Sequence, residues 1–126
     1  MSSEGSQKVN EQQAQNYIGQ LNLVFEQTEQ MVKQSFQETL MGLKEKCFKQ
    51  SDKALDFVDC TNKKSQQFES LSKTMKLRLN FMEKKMEQCF QFDLNTEFDQ
   101  FKKCGSQVVQ VGKNVQDILM QELEKQ

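Results

Sequence analysis

The sequence predicts an all-α fold, a disulfide-stapled helical hairpin with long amphipathic terminal helices, and three features carry that prediction. The chain has no Pro and only 5 Gly in 126 residues, so it lacks the turn residues that closely spaced β-strands need. Its apolar residues recur at three- and four-residue intervals, which places them along one face of a helix. Its four cysteines stand in two matching settings. A chain of this length buries roughly two-thirds of its unfolded surface, enough for one domain with a modest core.

Residues 1–8 read as a polar lead, and a single helical domain is expected over 9–126, with a cysteine-paired hairpin at about 40–105. From Asn10 onward Ala14, Ile18, Leu21, Phe25, Thr28 and Val32 form one stripe, continued by Phe36, Leu40, Leu43 and Cys47. Gly19 and Gly42 weaken that helix by about 1 kcal/mol each relative to Ala without breaking it. Ser51-Asp52 is a stop and a new N-cap, because Ser and Asp side chains accept the amide hydrogens left free at a helix start. Leu55, Phe57, Val58 and Cys60 open the second element, which Thr61-Asn62 is expected to loosen. Phe68, Leu71, Met75, Leu79, Met82, Met86 and Cys89 make a further stripe. Asp93 to Thr96 is the second break, with Asn95 or Thr96 as the cap. Phe98, Phe101, Gly105, Val108, Val111, Val115, Ile118 and Leu123 line the last helix.

Composition narrows the function. The chain has no His, which removes the commonest general base, the Ser-His and Cys-His nucleophile pairs, and most zinc sites. No Gly-rich phosphate loop, metal-ligand cluster or nucleophile-base set is visible. The expectation is a protein that is not an enzyme, with no catalytic residue, cofactor, metal or small-molecule substrate. Seventeen basic residues nearly balance 18 acidic ones, which gives no basis for nucleic-acid binding. Residues 61–90 are the basic stretch, with seven cations and three carboxylates. Its ordinary role is a solvated helix face, and its sharper one is a strip facing an acidic partner or an anionic membrane. No run approaches the roughly 18 apolar residues of a membrane span, and the polar start has neither a secretory nor an Arg-rich import signal. The 20 glutamines are scattered, as expected for exposed helix faces or for protists that read some stop codons as glutamine.

The cysteines are the most informative residues. Cys47, Cys60, Cys89 and Cys104 give C-x12-C and C-x14-C, 28 residues apart. Their flanks repeat as E-x-C-F-x8-F-x-x-C followed by E-x-C-F-x10-F-x-x-C. Zinc takes cysteines two to four residues apart, so these spacings do not suit it. A redox site would use C-x-x-C. Buried free thiols are the plain alternative, and two structural disulfides are the other. Nested bridges, Cys47 to Cys104 and Cys60 to Cys89, would close one hairpin turning near Ser72-Lys73-Thr74. Local bridges, Cys47 to Cys60 and Cys89 to Cys104, suit a helix that continues unbroken through Phe68–Cys89. The sequence leaves both open.

Paired cysteines on two helices, small size and no catalytic apparatus resemble the twin C-x(n)-C proteins of the mitochondrial intermembrane space. That family includes coiled-coil-helix hairpin proteins, a hinge-type subunit of the cytochrome bc1 complex and, more distantly, the small Tim chaperones. The resemblance covers residues 40–105, with spacings wider than the family's own. Cys47-Phe48 is similar to the opening of the small Tim motif, although Ser51 stands where that motif has its second cysteine. The resemblance implies import by oxidative trapping and a non-catalytic accessory subunit of a respiratory-chain or ATP-synthase complex. Such a subunit would lie in the intermembrane space, peripheral to the inner membrane, with other subunits as partners and possible contact with the membrane surface. A small Tim-like chaperone and a reduced cytosolic coiled-coil protein are the alternatives. Phe25, Met31, Phe36, Met75, Met82 and Met86 are expected mostly in the core, with some reserved for partners.

Overall fold

A computed structural model describes the backbone of residues 2–125 and the side chains of residues 11–125. Three helices follow one another: α1 (Ser2–Gln50), α2 (Ala54–Cys89) and α3 (Phe98–Glu124). Among the described residues there is no strand. The helical backbone runs back to Ser2, so residues 2–8 of the polar lead are part of α1. Each helix packs on both others. Three-residue and eight-residue connections reverse the chain twice, so α1 and α3 run antiparallel to α2.

The turns correct several expectations. Ser51 Oγ donates to the Cys47 carbonyl and ties off the end of α1. The N-cap of α2 is Lys53 rather than Asp52, with no side-chain cap bond. Thr61-Asn62 does not interrupt α2, because the Thr61 hydroxyl donates to the Val58 carbonyl at 3.0 Å inside the helix. The N-cap of α3 is Glu97 rather than Asn95 or Thr96, and the turn before it is organised by Asp93. Its Oδ1 accepts from the Asn95 amide at 2.8 Å and the Thr96 amide at 3.2 Å. Glu97 Oε1 accepts in return from the Asp93 amide at 3.1 Å. Nor does α2 turn near Ser72-Lys73-Thr74. It is continuous there, and the Thr74 hydroxyl donates to the Ser70 carbonyl at 3.2 Å.

Two core layers hold the helices together. Near the second turn, Leu21 of α1 packs with Met82, Met86 and Cys89 of α2 and with Phe101 and Val108 of α3. The middle layer joins Val32, Leu71, Met75, Val115 and Leu119. Thr28 lies between them, 1% exposed, and its hydroxyl is satisfied by the Val24 carbonyl at 2.8 Å. A buried hydroxyl without such a partner would cost about 1–3 kcal/mol. The unequal helix lengths, 49, 36 and 27 residues, shape the molecule: past Leu123 of α3, α1 and α2 continue as a two-helix arm. The Phe36–Phe68 contact, ring centroids 5.5 Å apart, stands at its base.

Gly105 and Gly112, one heptad apart on α3, let the neighbouring helices come close. A Cβ at Gly112 would stand 2.9 Å from Met82 Cε and 3.3 Å from Thr28 Oγ1, and one at Gly105 would stand 3.2 Å from Tyr17 Cε1. Nothing lies within 4 Å of a Cβ at Gly19 or Gly42. The four positions therefore separate by sign. Gly19→Ala and Gly42→Ala should each stabilise the fold by about 0.5–1 kcal/mol through helix propensity. Gly112→Leu should destabilise it by about 1–3 kcal/mol through overpacking, and urea titration followed by circular dichroism reads both effects.

Candidate functional site

The repeated sequence motif folds into the same local unit twice. Cys47 lies in the last turn of α1, Cys60 in the second turn of α2, and the reversal at 51–53 brings their Cα atoms to 5.7 Å. Cys89 ends α2, Cys104 lies in the second turn of α3, and their Cα atoms are 5.5 Å apart. Both pairs are disulfides, which settles the pairing as local. The nested pairing is wrong for a geometric reason. Cys60 and Cys89 occupy opposite ends of α2, and 29 residues at 1.5 Å each set them about 44 Å apart. The first reversal re-phases the helices, so Cys47 and Cys60, which an unbroken helix would hold about 140° apart, come face to face.

The phenylalanines of the motif pair as the cysteines do. In the first unit the rings of Phe48 and Phe57 meet edge to face at 5.9 Å. In the second, Phe90 and Phe101 meet at 6.4 Å. Each unit is thus one disulfide and one aromatic pair across a helix reversal. An aromatic pair contributes about 0.5–1.5 kcal/mol beyond its buried area, and a disulfide closing such a loop about 3 kcal/mol.

The units differ in what covers them. The second is enclosed: Cys89, Cys104 and Phe101 are buried, Tyr17 of α1 meets Phe101 at 5.9 Å, and Phe98 stacks on it at 6.1 Å. Lys102 Nζ sits 5.0 Å from the centre of the Phe98 ring. The first unit caps the open end of the arm. Cys47 is buried there and Cys60 half-buried, while Phe48 is 73% and Leu55 68% exposed, with Met41 and Val58 also in solvent.

Two of the grooves between the helices include residues of the basic stretch. One, of about 420 Å³, is lined by α1 and α2 alone, with Val32, Phe36, Met75 and Leu79 at its floor and Lys33 and Lys76 among its polar residues. The other, of about 370 Å³, lies between α2 and α3 and carries Leu77 and Phe81, 69% and 60% exposed, beside Arg78. The basic stretch therefore runs along α2 beside apolar residues. Among the described residues surface ion pairs are few: Lys33–Glu29 at 3.7 Å, Lys73–Glu69 at 3.6 Å and Lys125–Glu122 at 3.4 Å, each contributing tenths of a kcal/mol. Among the described residues no group of three or more His, Cys, Asp or Glu is placed to hold a metal ion, and no helix is long and apolar enough to cross a membrane.

Sequence reasoning named all four cysteines but missed the exposed apolar residues. Met75, Met82 and Met86 are buried, and Phe25, Met31 and Phe36 are half-buried. The surface is furnished instead by Phe48, Leu55, Leu77 and Phe81. A signal for two of these was present, since Leu77 and Phe81 are four residues apart and lie off the Phe68–Cys89 stripe.

Two outcomes check the staples. Proteolysis without reductant should release 47–60 and 89–104 linked peptides, and a 47–104 peptide would contradict the pairing. Removing the second staple by Cys89→Ala with Cys104→Ala should lower global stability by about 2–4 kcal/mol. Removing the first should instead raise hydrogen exchange in residues 40–66 and leave the surroundings of Phe101 protected, because α3 does not reach the arm. Comparison with protein-family models, curated proteins and solved structures found no match for the chain.

Proposed function

We propose that this chain is a non-catalytic structural accessory subunit of a large mitochondrial inner-membrane complex, of the respiratory chain or the ATP synthase, on its intermembrane-space side. The observation that carries this reading is the pair of disulfides, each fastening consecutive antiparallel helices. Structural disulfides persist in oxidising compartments and are rare where glutathione keeps thiols reduced. The twin staples are also what the chain shares with the twin C-x(n)-C proteins of that compartment. The exposed Phe48, Leu55, Leu77 and Phe81 support the subunit part of the reading, since clustered apolar side chains in solvent mark surfaces that meet another molecule. The stapled arm supplies a rigid element, because a disulfide near its tip limits splaying of two helices that no third helix braces.

A second reading, a small Tim-like chaperone of the same compartment, is favoured by the open apolar groove between α1 and α2, which could receive an unfolded apolar segment. Native gel electrophoresis of detergent-solubilised mitochondria separates the two. The subunit reading expects fixed stoichiometry with one large complex and protection from protease until the outer membrane is ruptured. A free small oligomer that binds unfolded apolar peptides would favour the chaperone. A location outside mitochondria would sink both.

A further inference from the structure

The two units have the same construction, yet only one is covered, and the covered one shows what the other lacks. In the second unit α1 lies across the α2–α3 pair: Tyr17 meets Phe101, and Leu21 lies against Gly105 and packs with the buried Val108. The matching positions in the first unit are Phe57, Thr61 and Lys64. Among the described residues all three remain partly exposed, and the α1–α2 groove beside them is lined by α1 and α2 alone. That uncovered surface is continuous. Gln37, Met41, Lys44 and Phe48 follow three-four spacing on α1, as Phe57, Thr61 and Lys64 do on α2 down to the buried Phe68, so each set forms one line. The Phe36–Phe68 and Phe48–Phe57 pairs bridge the two lines.

We propose that the α1–α2 groove and the Phe48–Phe57 pair form one docking surface for an amphipathic helix of a neighbouring subunit, lying across α1–α2 as α1 lies across α2–α3. This rests on the reading of the chain as a complex subunit and names the surface through which it assembles. The chemistry of the partner helix follows from what lines the surface. Phe36, Phe48 and Phe57 call for an apolar seam with an aromatic ring where Tyr17 stands in the covered unit. Where the covered unit has Val108, this surface has the half-buried Lys64. Lys44 and Lys49 surround Phe48 with only Glu45, and in the groove Lys76 has no ion-pair partner among the described residues while Lys33 holds Glu29. The surface is therefore cationic around an apolar centre, and the complementary helix carries carboxylates beside its seam.

The test uses the whole chain in its native complex. A photo-crosslinking phenylalanine analogue at Phe48 and at Ser72 should join both positions to one and the same neighbouring polypeptide. Phe48→Glu and Lys64→Glu should each reduce the fraction co-purifying with the complex at least tenfold, whereas Ser106→Glu on α3 should leave it unchanged. Phe48→Glu also breaks the ring contact with Phe57, so Lys64→Glu is the variant that should keep the wild-type circular dichroism and melting temperature, which separates lost docking from lost folding. Full assembly of the Phe48→Glu and Lys64→Glu variants overturns the inference and leaves the subunit reading standing. Crosslinks confined to lipid, or to a second copy of this chain, also overturn it. A chain that never co-purifies with a complex overturns the subunit reading and this inference together.

Discussion

The disulfide-and-phenylalanine unit at each chain reversal is the constraint on which the rest of the structure depends. Helices of 49, 36 and 27 residues gain most of their stability from packing against one another rather than from propensity. Their packing requires registers that match along lengths of tens of ångströms. A covalent tie between the end of one helix and the start of the next sets that register at the turn. The stripes of Leu21, Val32, Met75, Met82, Val108 and Val115 can then meet as layers.

That arrangement also explains an economical core. Small residues allow close approach where α3 lies against α1 and α2, and methionines fill the irregular space between the helices, as unbranched thioethers do well. The Met82 methyl group comes within 2.9 Å of the position a Cβ at Gly112 would occupy. At the second turn the aromatic rings of Tyr17, Phe90, Phe98 and Phe101 gather around one staple. Stability is therefore concentrated at the end where all three helices meet. The arm beyond Leu123 has two helices, one staple and more of its apolar side chains in water.

The same inequality separates structural from interactive surface. Where three helices pack, Phe101 of the motif is buried and Phe90 is 37% exposed. Where only two run on, the equivalent Phe57 is half-buried and Phe48 is 73% exposed beside lysines. One sequence motif thus has two uses, and the difference lies in whether a third helix reaches it.

Much of the fold was legible from residues alone. Absence of Pro and the three-four stripes determined that the chain is helical, because one face of each segment must be buried and the spacing says which. The breaks at Ser51-Asp52 and Asp93–Thr96 followed from residues that compete with helix hydrogen bonding, although the capping atoms did not, since cap geometry depends on how the chain leaves the turn. The repeat around Cys47, Cys60, Cys89 and Cys104 marked the candidate site. Only the tertiary structure decided the cysteine pairing, because two chain reversals, not residue spacing, determine which thiols face each other. It alone also showed that Phe57 is half-buried while the equivalent Phe101 is buried, since exposure depends on whether another helix packs there, and identical motifs carry no record of that.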